Sequence, residues 1–387
     1  HRSDEAKACH RALSPRASAH ERLIIVKAAR YYGRNDIRIE DIEQQPLEPG
    51  TVRIDVAWTG ICGTDLHEYL EGPIFVPAPG QPHPISGESA PITLGHEFSG
   101  VVSELGEGVT DLAVGDHVVV EPYIIHDDVN TGPDSNDYHL SEDMNFIGLA
   151  GRGGGLAENI VVKRRWVHKI DKAVALDEAA LIEPLSVAYH AVMRSGVKAG
   201  QTALVGGAGP IGQLTAAVLH ALDVRVIISE LSPLRRQKAL DAGVADVALN
   251  PAEVDVVAEV KKLTGGQGAD VAFEATSVQV VFDTLMGAVR PTGVIVVVSI
   301  WGKPATFDMH KLVMKELDVR GTIGYVNSHP ATIALVESGK IDLKPFITGK
   351  IGMEHIVDEG FDTLINRNET AVKILVSPSG AGLESAE

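Results

Sequence analysis

The sequence predicts an α/β protein in two parts, a β-rich region followed by a doubly wound parallel sheet. Three observations carry this reading. Six short β-branched runs after Ala179 alternate with Ala- and Leu-rich stretches of helical length, the pattern of parallel strands joined by crossover helices. A Gly-x-Gly-x-x-Gly segment, Gly207 to Gly212, falls between the first of those runs and the stretch that follows it. Before Ala179 the texture differs, with strand-like runs separated by Gly and Pro. At 387 residues the chain also exceeds the roughly 100–200 residues of one domain.

In chain order, His1 to Arg22 has no apolar stretch, which excludes a secretory signal, and is expected to be a disordered extension. LIIVKAARYY, TVRIDVAWTGI and DHVVVEPYII then carry the β-branched and apolar residues of strands. The Pro- and Gly-crowded stretch from Gly72 to Pro91 is expected to be irregular. His126 to Met144, polar and acidic without an apolar period, is expected to be a long surface loop. The glycines at 148–158 mark a close backbone approach. The six later strands are expected at 202–207, 225–230, 245–250, 270–276, 294–300 and 318–323, with helices at Pro210–Ala221, Pro233–Ala242 and Val254–Leu263. The residues after Tyr325 are too many for a tail. They are expected to return to the first region, so that 23–182 with 324–387 enclose a separate unit at 183–323.

Lys plus Arg number 34 and Asp plus Glu 52, a formal net charge of −18. A surface that acidic repels phosphate backbones and anionic lipid heads, so neither a nucleic-acid nor a membrane partner is expected. The longest apolar run, Val294 to Ile300, is far short of the ~20 residues a bilayer requires. Two cysteines, Cys9 and Cys62, are too few for a disulfide framework or a four-cysteine zinc site. A reducing compartment, the cytoplasm, is expected.

The glycine segment reads Gly207-Ala208-Gly209-Pro210-Ile211-Gly212. Gly207 permits a tight turn, Gly209 lets a pyrophosphate approach the backbone, and Gly212 allows close packing. Pro210 suits a first helical turn, where the following helix presents its positive end to phosphates. The second strand ends in Glu230, 18 residues beyond Gly212. A carboxylate there accepts hydrogen bonds from both ribose hydroxyls and repels a 2′-phosphate, which favours NAD over NADP. Arg235 and Arg236 lie just downstream, where they flank the adenine or, less favourably, receive a phosphate.

Cys62, in Gly60-Ile61-Cys62-Gly63-Thr64-Asp65-Leu66-His67, reads on its own as a buried small hydrophobe. Two further segments stand beside it. One is Leu94-Gly95-His96-Glu97; the other is Leu181-Ile182-Glu183-Pro184-Leu185, where a carboxylate in an apolar stretch is costly without a partner. Thiolate, imidazole and carboxylate make a tetrahedral zinc set with a fourth position left for water or substrate. Asp65 is suited to hold the His96 ring through its other nitrogen. The spacing alone does not select this reading.

Taken in order, GICGTDLH, GHEFSG, VGDHVVVEP, EPLSVAYHA and GGAGPIG resemble the zinc-dependent medium-chain dehydrogenases, over about Ala28 to Pro378. With HEYLEGPIF and VMKELDVRGTIGY, the chain is most similar to their polyol (sorbitol) branch and, within it, to the 2,3-butanediol dehydrogenases. The resemblance implies a GroES-like β-rich catalytic domain beside a Rossmann sheet, zinc and NAD as cofactors, and oxidation of a CH–OH donor. It implies Cys62 and His96 as zinc ligands, Glu183 at the position where this branch has a carboxylate, and Glu97 either bound to the metal or exchanging with Glu183. It implies that Thr64 touches the substrate hydroxyl and that His67 carries the released proton toward solvent, a task that suits imidazole. Homo-oligomers, dimers or tetramers, are common on this scaffold. Val294 to Ile300 reads equally as a dimer seam and as a buried parallel strand.

The chain also departs from the family. Zinc members usually carry four closely spaced cysteines after the VGDHVVVEP segment, holding a structural zinc, and Tyr123 to Met144 has none. One catalytic zinc per chain and no structural zinc are therefore expected, with that lobe held by other means. The resemblance further implies an arginine in a Gly-x-x-Arg-Tyr segment, which here reads Gly321-Thr322-Ile323-Gly324-Tyr325. Without that cation a long polyol loses an anchor. This favours a small vicinal diol or its hydroxyketone, of the 2,3-butanediol/acetoin type; a sugar-alcohol (sorbitol, xylitol) or secondary-alcohol dehydrogenase is the alternative. The remaining histidines, among them His83, His117, His126, His139, His168, His190, His310 and His329, are expected to be surface or packing residues.

Overall fold

Strands rich in β-branched and apolar residues build the first sheets. In the computed structural model, which describes residues 23–369 and 371–384, β1 (Ile25–Gly33) pairs antiparallel with β2 (Asp36–Glu43) and with β4 (Ile92–Thr93). The extension expected at 1–22 lies outside the described residues. A larger sheet combines β3 (Thr51–Gly60), β5 (Glu97–Leu105), β6 (His117–Val120), β9 (Asn159–Lys163) and β10 (Val167–Ile170) with two strands from far along the chain, β17 (Ile347–Gly352) and β18 (Lys373–Ser377). Its order is β10-β6-β5-β3-β18-β17, and β9 also pairs with β3. β18 runs antiparallel to β3, with Leu375 opposite Gly60, so the chain does return to its first region. The return is divided. The helix His329–Glu337 packs instead on the helix Ile182–Ser195, where Ser186 Oγ and Thr332 Oγ1 are 2.9 Å apart.

The parallel sheet contains β11 (Thr202–Gly206), β12 (Arg225–Ser229), β13 (Val247–Leu249), β14 (Ala269–Glu274), β15 (Val289–Val297) and β16 (Asp318–Gly321), in the order β13-β12-β11-β14-β15-β16. Leu204, Ile227, Ala272, Phe273 and Ile295 are fully buried, as expected where helices cover both faces. The helices Pro210–Ala221, Pro233–Asp241 and Val256–Leu263 stand within two residues of their expected bounds. Proline at the first turn fixes φ for two of them. Ser232 and Asp255 cap the second and third by accepting an N–H three residues on. β15 starts five residues before the expected run, because Val289 already pairs with Ala269 across a register shift. Val294 to Val297 lie between β14 and β16 as a parallel strand, and Ile300 beyond them is exposed. The strand order reverses between β11 and β14, which opens a crevice at their carboxyl ends.

The stretch 126–144 is more than a surface loop. It is bounded by a two-stranded ribbon, β7 (Tyr123–Ile124) and β8 (Asn145–Phe146), and Tyr138 within it is fully buried. The Tyr138 hydroxyl donates to Glu121 and accepts from Asn327 N at 2.8 Å. Asn327 Nδ2 donates to the carbonyls of Gly132 and Ser135, and Arg165 donates to that of Thr131. These contacts hold the lobe. Periodicity misses them because single polar and aromatic anchors in an acidic stretch leave no repeat. Among the described residues, no helix is long and apolar enough to cross a membrane.

Two of the histidines expected to be packing residues carry a measurable consequence. His329 is fully buried and stacked on His168 beside Glu121, and His190 meets His139 edge-on. Burial pushes His329 down to about 3 and His190 down to about 4. Each imidazole is then neutral when folded but takes a proton when unfolded below its ordinary value, so stability falls as pH falls through that window. From about pH 7 to about pH 5 each costs about 2 kcal/mol. Thermal melts should show Tm dropping over this range, with a shallower slope in His190→Gln and in His329→Gln; an unchanged slope in both would contradict the assignment.

Candidate active site

Four separated segments meet beside the crevice. β3 ends at Gly60, and the helix Gly63–Glu71 begins just after Cys62. Asp65, in the first turn of that helix, accepts from Cys62 N at 3.0 Å and so fixes the turn that presents the thiol. His96 precedes β5, and Glu97 opens β5 directly opposite Gly60. A Cβ on Gly60 would lie 2.5 Å from Glu97 Oε2, so only glycine admits the carboxylate there. Glu183 is the second residue of the helix Ile182–Ser195 and is buried.

The donor atoms of Cys62, His96 and Glu97 lie within 4.8 Å of one another. Glu183 stands outside that circle, yet near enough to His96 and Glu97 to sense their charges. His96 Nδ1 is 3.6 Å from Asp65 Oδ1, and neither atom has a hydrogen-bond partner among the described residues. Thr64, half-buried, and His67, exposed, line the same cavity of about 530 Å³.

Burial and neighbouring charges shift Cys62, Asp65, Glu183 and His96 from their ordinary values. Burial pushes the Cys62 thiol up, with Glu97 adding to the shift. Burial likewise pushes Asp65 up to about 6 and Glu183 up to about 7. For His96 burial opposes the charge, but Cys62 and Asp65 outweigh it and hold the imidazole well above its usual range. A lysine also stands inside the cluster. Lys373 Nζ is 2.7 Å from Glu97 Oε2 and also donates to Ile61 O at 3.1 Å, both side chains being almost fully buried. A thiol, an imidazole and a carboxylate brought together, with unpartnered buried atoms on His96 and Glu97, fit a zinc ion.

Sequence reasoning missed Lys373 and Tyr325. The first had a signal, a lone cation in the apolar run Val372 to Val376. Tyr325 had none: it is fully buried, and its hydroxyl faces Glu183 without a hydrogen bond of ordinary geometry. Its backbone is held by Tyr123, whose hydroxyl donates to Tyr325 O at 2.6 Å and accepts from Tyr325 N at 3.0 Å. The same hydroxyl fills the space beside Gly324, where a Cβ would come within 2.4 Å of it.

The glycine segment lies where the crevice requires it. Gly207 has φ +102°, and a Cβ on it would meet Thr276 at 2.6 Å; a Cβ on Gly212 would meet Gly207 O at 2.0 Å. Gly209 faces open space, its nearest neighbour being Arg235 at 3.9 Å. Pro210 starts the helix, and Ile211 lines the cavity shared with Cys62 and His96. Glu230 follows β12 and lies 3.6 Å from the Arg235 guanidinium, which also donates to Asn368 O. Arg236 is committed to the carbonyls of Glu230 and Leu231.

Residues 48–172 match the alcohol dehydrogenase GroES-like domain, and residues 210–338 match the zinc-binding dehydrogenase domain. The chain is 66% identical over 354 residues to an (R,R)-butanediol dehydrogenase of Neisseria gonorrhoeae, covering 92% of this chain and 100% of that protein. It is 45% identical over 356 residues to an (R,R)-butanediol dehydrogenase of Bacillus subtilis, covering 92% and 100%. The crystal structure of the 2R,3R-butanediol dehydrogenase from Bacillus subtilis superposes with a TM-score of 0.86 at 44% identity, covering 91% of this chain and 99% of the other.

Removing the cation beside Glu97 should be costly. Lys373→Met leaves Glu97 buried and unpaired, and urea unfolding should show a loss of about 3–5 kcal/mol. Wild-type stability in that variant would mean that Glu97 does not depend on Lys373.

Proposed function

The chain belongs to the zinc-binding dehydrogenase family, and from that premise we propose that it interconverts a small vicinal diol and its hydroxyketone, of the 2,3-butanediol/acetoin type, with NAD as hydride carrier. The observation that carries this reading is the convergence of Cys62, His96 and Glu97 at the mouth of the crevice that holds the glycine segment. The names of the relatives favour the (R,R) diol. The cavity favours a small diol of either hand: Gly324 offers no cation, and Ile74, Phe75, Phe146, Leu149 and Trp301 make apolar walls suited to methyl groups.

Zinc held by Cys62, His96 and a carboxylate would supply the Lewis acidity that makes a substrate hydroxyl acidic near neutral pH, while NAD accepts the hydride. Glu97 would complete the ligand set, and Glu183, standing further out, would be the carboxylate that exchanges with it. Asp65 orients the His96 ring through Nδ1. Thr64 hydrogen-bonds the substrate hydroxyl, and His67, at the exposed rim, passes its proton to solvent. Gly207, Gly209, Pro210, Ile211 and Gly212 receive the pyrophosphate, and Glu230 accepts from the ribose hydroxyls beside Arg235. Because Arg236 is tied to backbone carbonyls and Glu230 would face a 2′-phosphate, NAD is preferred to NADP.

The reading extends to the rest of the chain. Residues 23–182 with 324–387 form the catalytic part and 183–323 the dinucleotide-binding part; the pairing of β18 with β3 supports this for the end of the chain, while the helix His329–Glu337 lies against the helix Ile182–Ser195. There is one catalytic zinc per chain and no structural zinc, the 123–144 lobe being held through Glu121, Tyr138 and Asn327. The protein is a homo-oligomer, dimer or tetramer, which the exposed Ile300, Met309, Val313 and Met314 support. It works in the cytoplasm, where Cys62 stays reduced.

NADH formation by the purified protein should be fastest on (R,R)-2,3-butanediol, slower on its stereoisomers, sorbitol, xylitol and simple secondary alcohols, and lost on treatment with a zinc chelator. Preference for sorbitol or xylitol would overturn the substrate class, and indifference to chelation would overturn the metal. Cys62→Ser should lose both bound zinc and turnover, as elemental analysis and the same assay would read; retention of either contradicts the ligand set.

A further inference from the structure

We propose that Glu68 is a positioning residue that fixes one apolar wall of the substrate pocket and so narrows it to small diols, an inference that rests on the substrate reading above and deepens it. Glu68 follows His67 on the helix Gly63–Glu71 and is fully buried. Its carboxylate accepts three successive backbone N–H groups, from Ile74 at 2.8 Å, from Phe75, and from Val76 at 3.4 Å. Hydrogen bonds to an ionised acceptor are stronger than neutral ones, so the segment is gripped rather than merely satisfied. Gly72 makes the grip possible, since a Cβ there would lie 2.8 Å from Glu68 Oε2.

Phe75 is held from its other side as well. Its carbonyl accepts from Asn145 Nδ2 at 3.0 Å, while Asn145 Oδ1 accepts from Phe146 N at 2.8 Å. The two phenyl rings meet edge to face, 6.4 Å apart, and both line the cavity shared with Cys62 and His96. With N–H and C=O both tied, Phe75 has no freedom to withdraw. A methyl-ended diol packs against such a wall, whereas the further hydroxyls of a polyol would lose water there without finding partners. Remove the carboxylate and three N–H groups lose their acceptor, so the segment must rearrange to reach water.

The test is steady-state kinetics of wild type, Glu68→Gln, Glu68→Ala and Asn145→Ala with (R,R)-2,3-butanediol and with sorbitol, NAD also being varied. Wild-type preference between the two alcohols tests the substrate reading; the ratio of variant to wild type tests the role of Glu68. In Glu68→Ala the diol KM should rise by about tenfold or more. It should rise less in Glu68→Gln, which keeps one acceptor oxygen, with kcat falling less than KM rises and the KM for NAD unmoved. The preference for butanediol over sorbitol should narrow in both variants, and Asn145→Ala should shift the diol KM the same way. Should Glu68→Ala not fold, Glu68→Gln and Asn145→Ala carry the test. An unchanged diol KM in folded variants, or kcat and both KM values moving together, would overturn the proposal.

Discussion

The buried ion pair between Lys373 and Glu97, 2.7 Å long, is the interaction around which the site is arranged. A lone carboxylate in this position would cost several kcal/mol in desolvation. Lys373 offsets that cost only because β18 is carried back to β3, which places its first residue beside Gly60 and Ile61. The return of the chain to its first region and the geometry of the candidate site are therefore one constraint. Gly60 belongs to it too, since any side chain there would displace the carboxylate. The pair does not satisfy the whole cluster. Burial raises the pKa values of Cys62, Asp65 and Glu183 beside it, disfavouring anions that a divalent cation would stabilise.

The parallel sheet supplies the other half of the chemistry. Its order reverses between β11 and β14, so the loops after those strands separate and leave room for a dinucleotide. The glycine segment follows β11, and the cavity beyond it runs continuously to Cys62, His96 and Glu183. The candidate metal ligands and the end of the glycine segment thus share one cleft. That arrangement is what makes a dehydrogenase of the chain.

Much of this was legible in the residues. The parallel strands and their helices could be placed closely because β-branched runs and N-terminal prolines are local signals; the cap Asp255, left unread, sets the start of the third helix at Val256 rather than Val254. Cys62, His96, Glu97 and Glu183 were legible as a metal set only with the family resemblance, their spacing being undiagnostic. What stayed hidden depends on pairings distant in sequence. Lys373 donates to Ile61 across 312 positions, and Tyr138 is buried through Glu121 and Asn327 although it lies in an acidic, aperiodic stretch. Glu68 was hidden for the opposite reason: its partners are near, but they are backbone N–H groups, which leave no mark in a side-chain pattern. The strand Asp36–Glu43 sets isoleucines among charges and buries none of its residues, so no core run marks it.

Anomalous diffraction at the zinc edge from crystals of the purified protein tests the central claim most directly. The account predicts one strong peak per chain, about 2.3 Å from Cys62 Sγ and about 2.0–2.2 Å from His96 and a carboxylate of Glu97 or Glu183. A zinc peak elsewhere, or fully active crystals with none at Cys62, would contradict it.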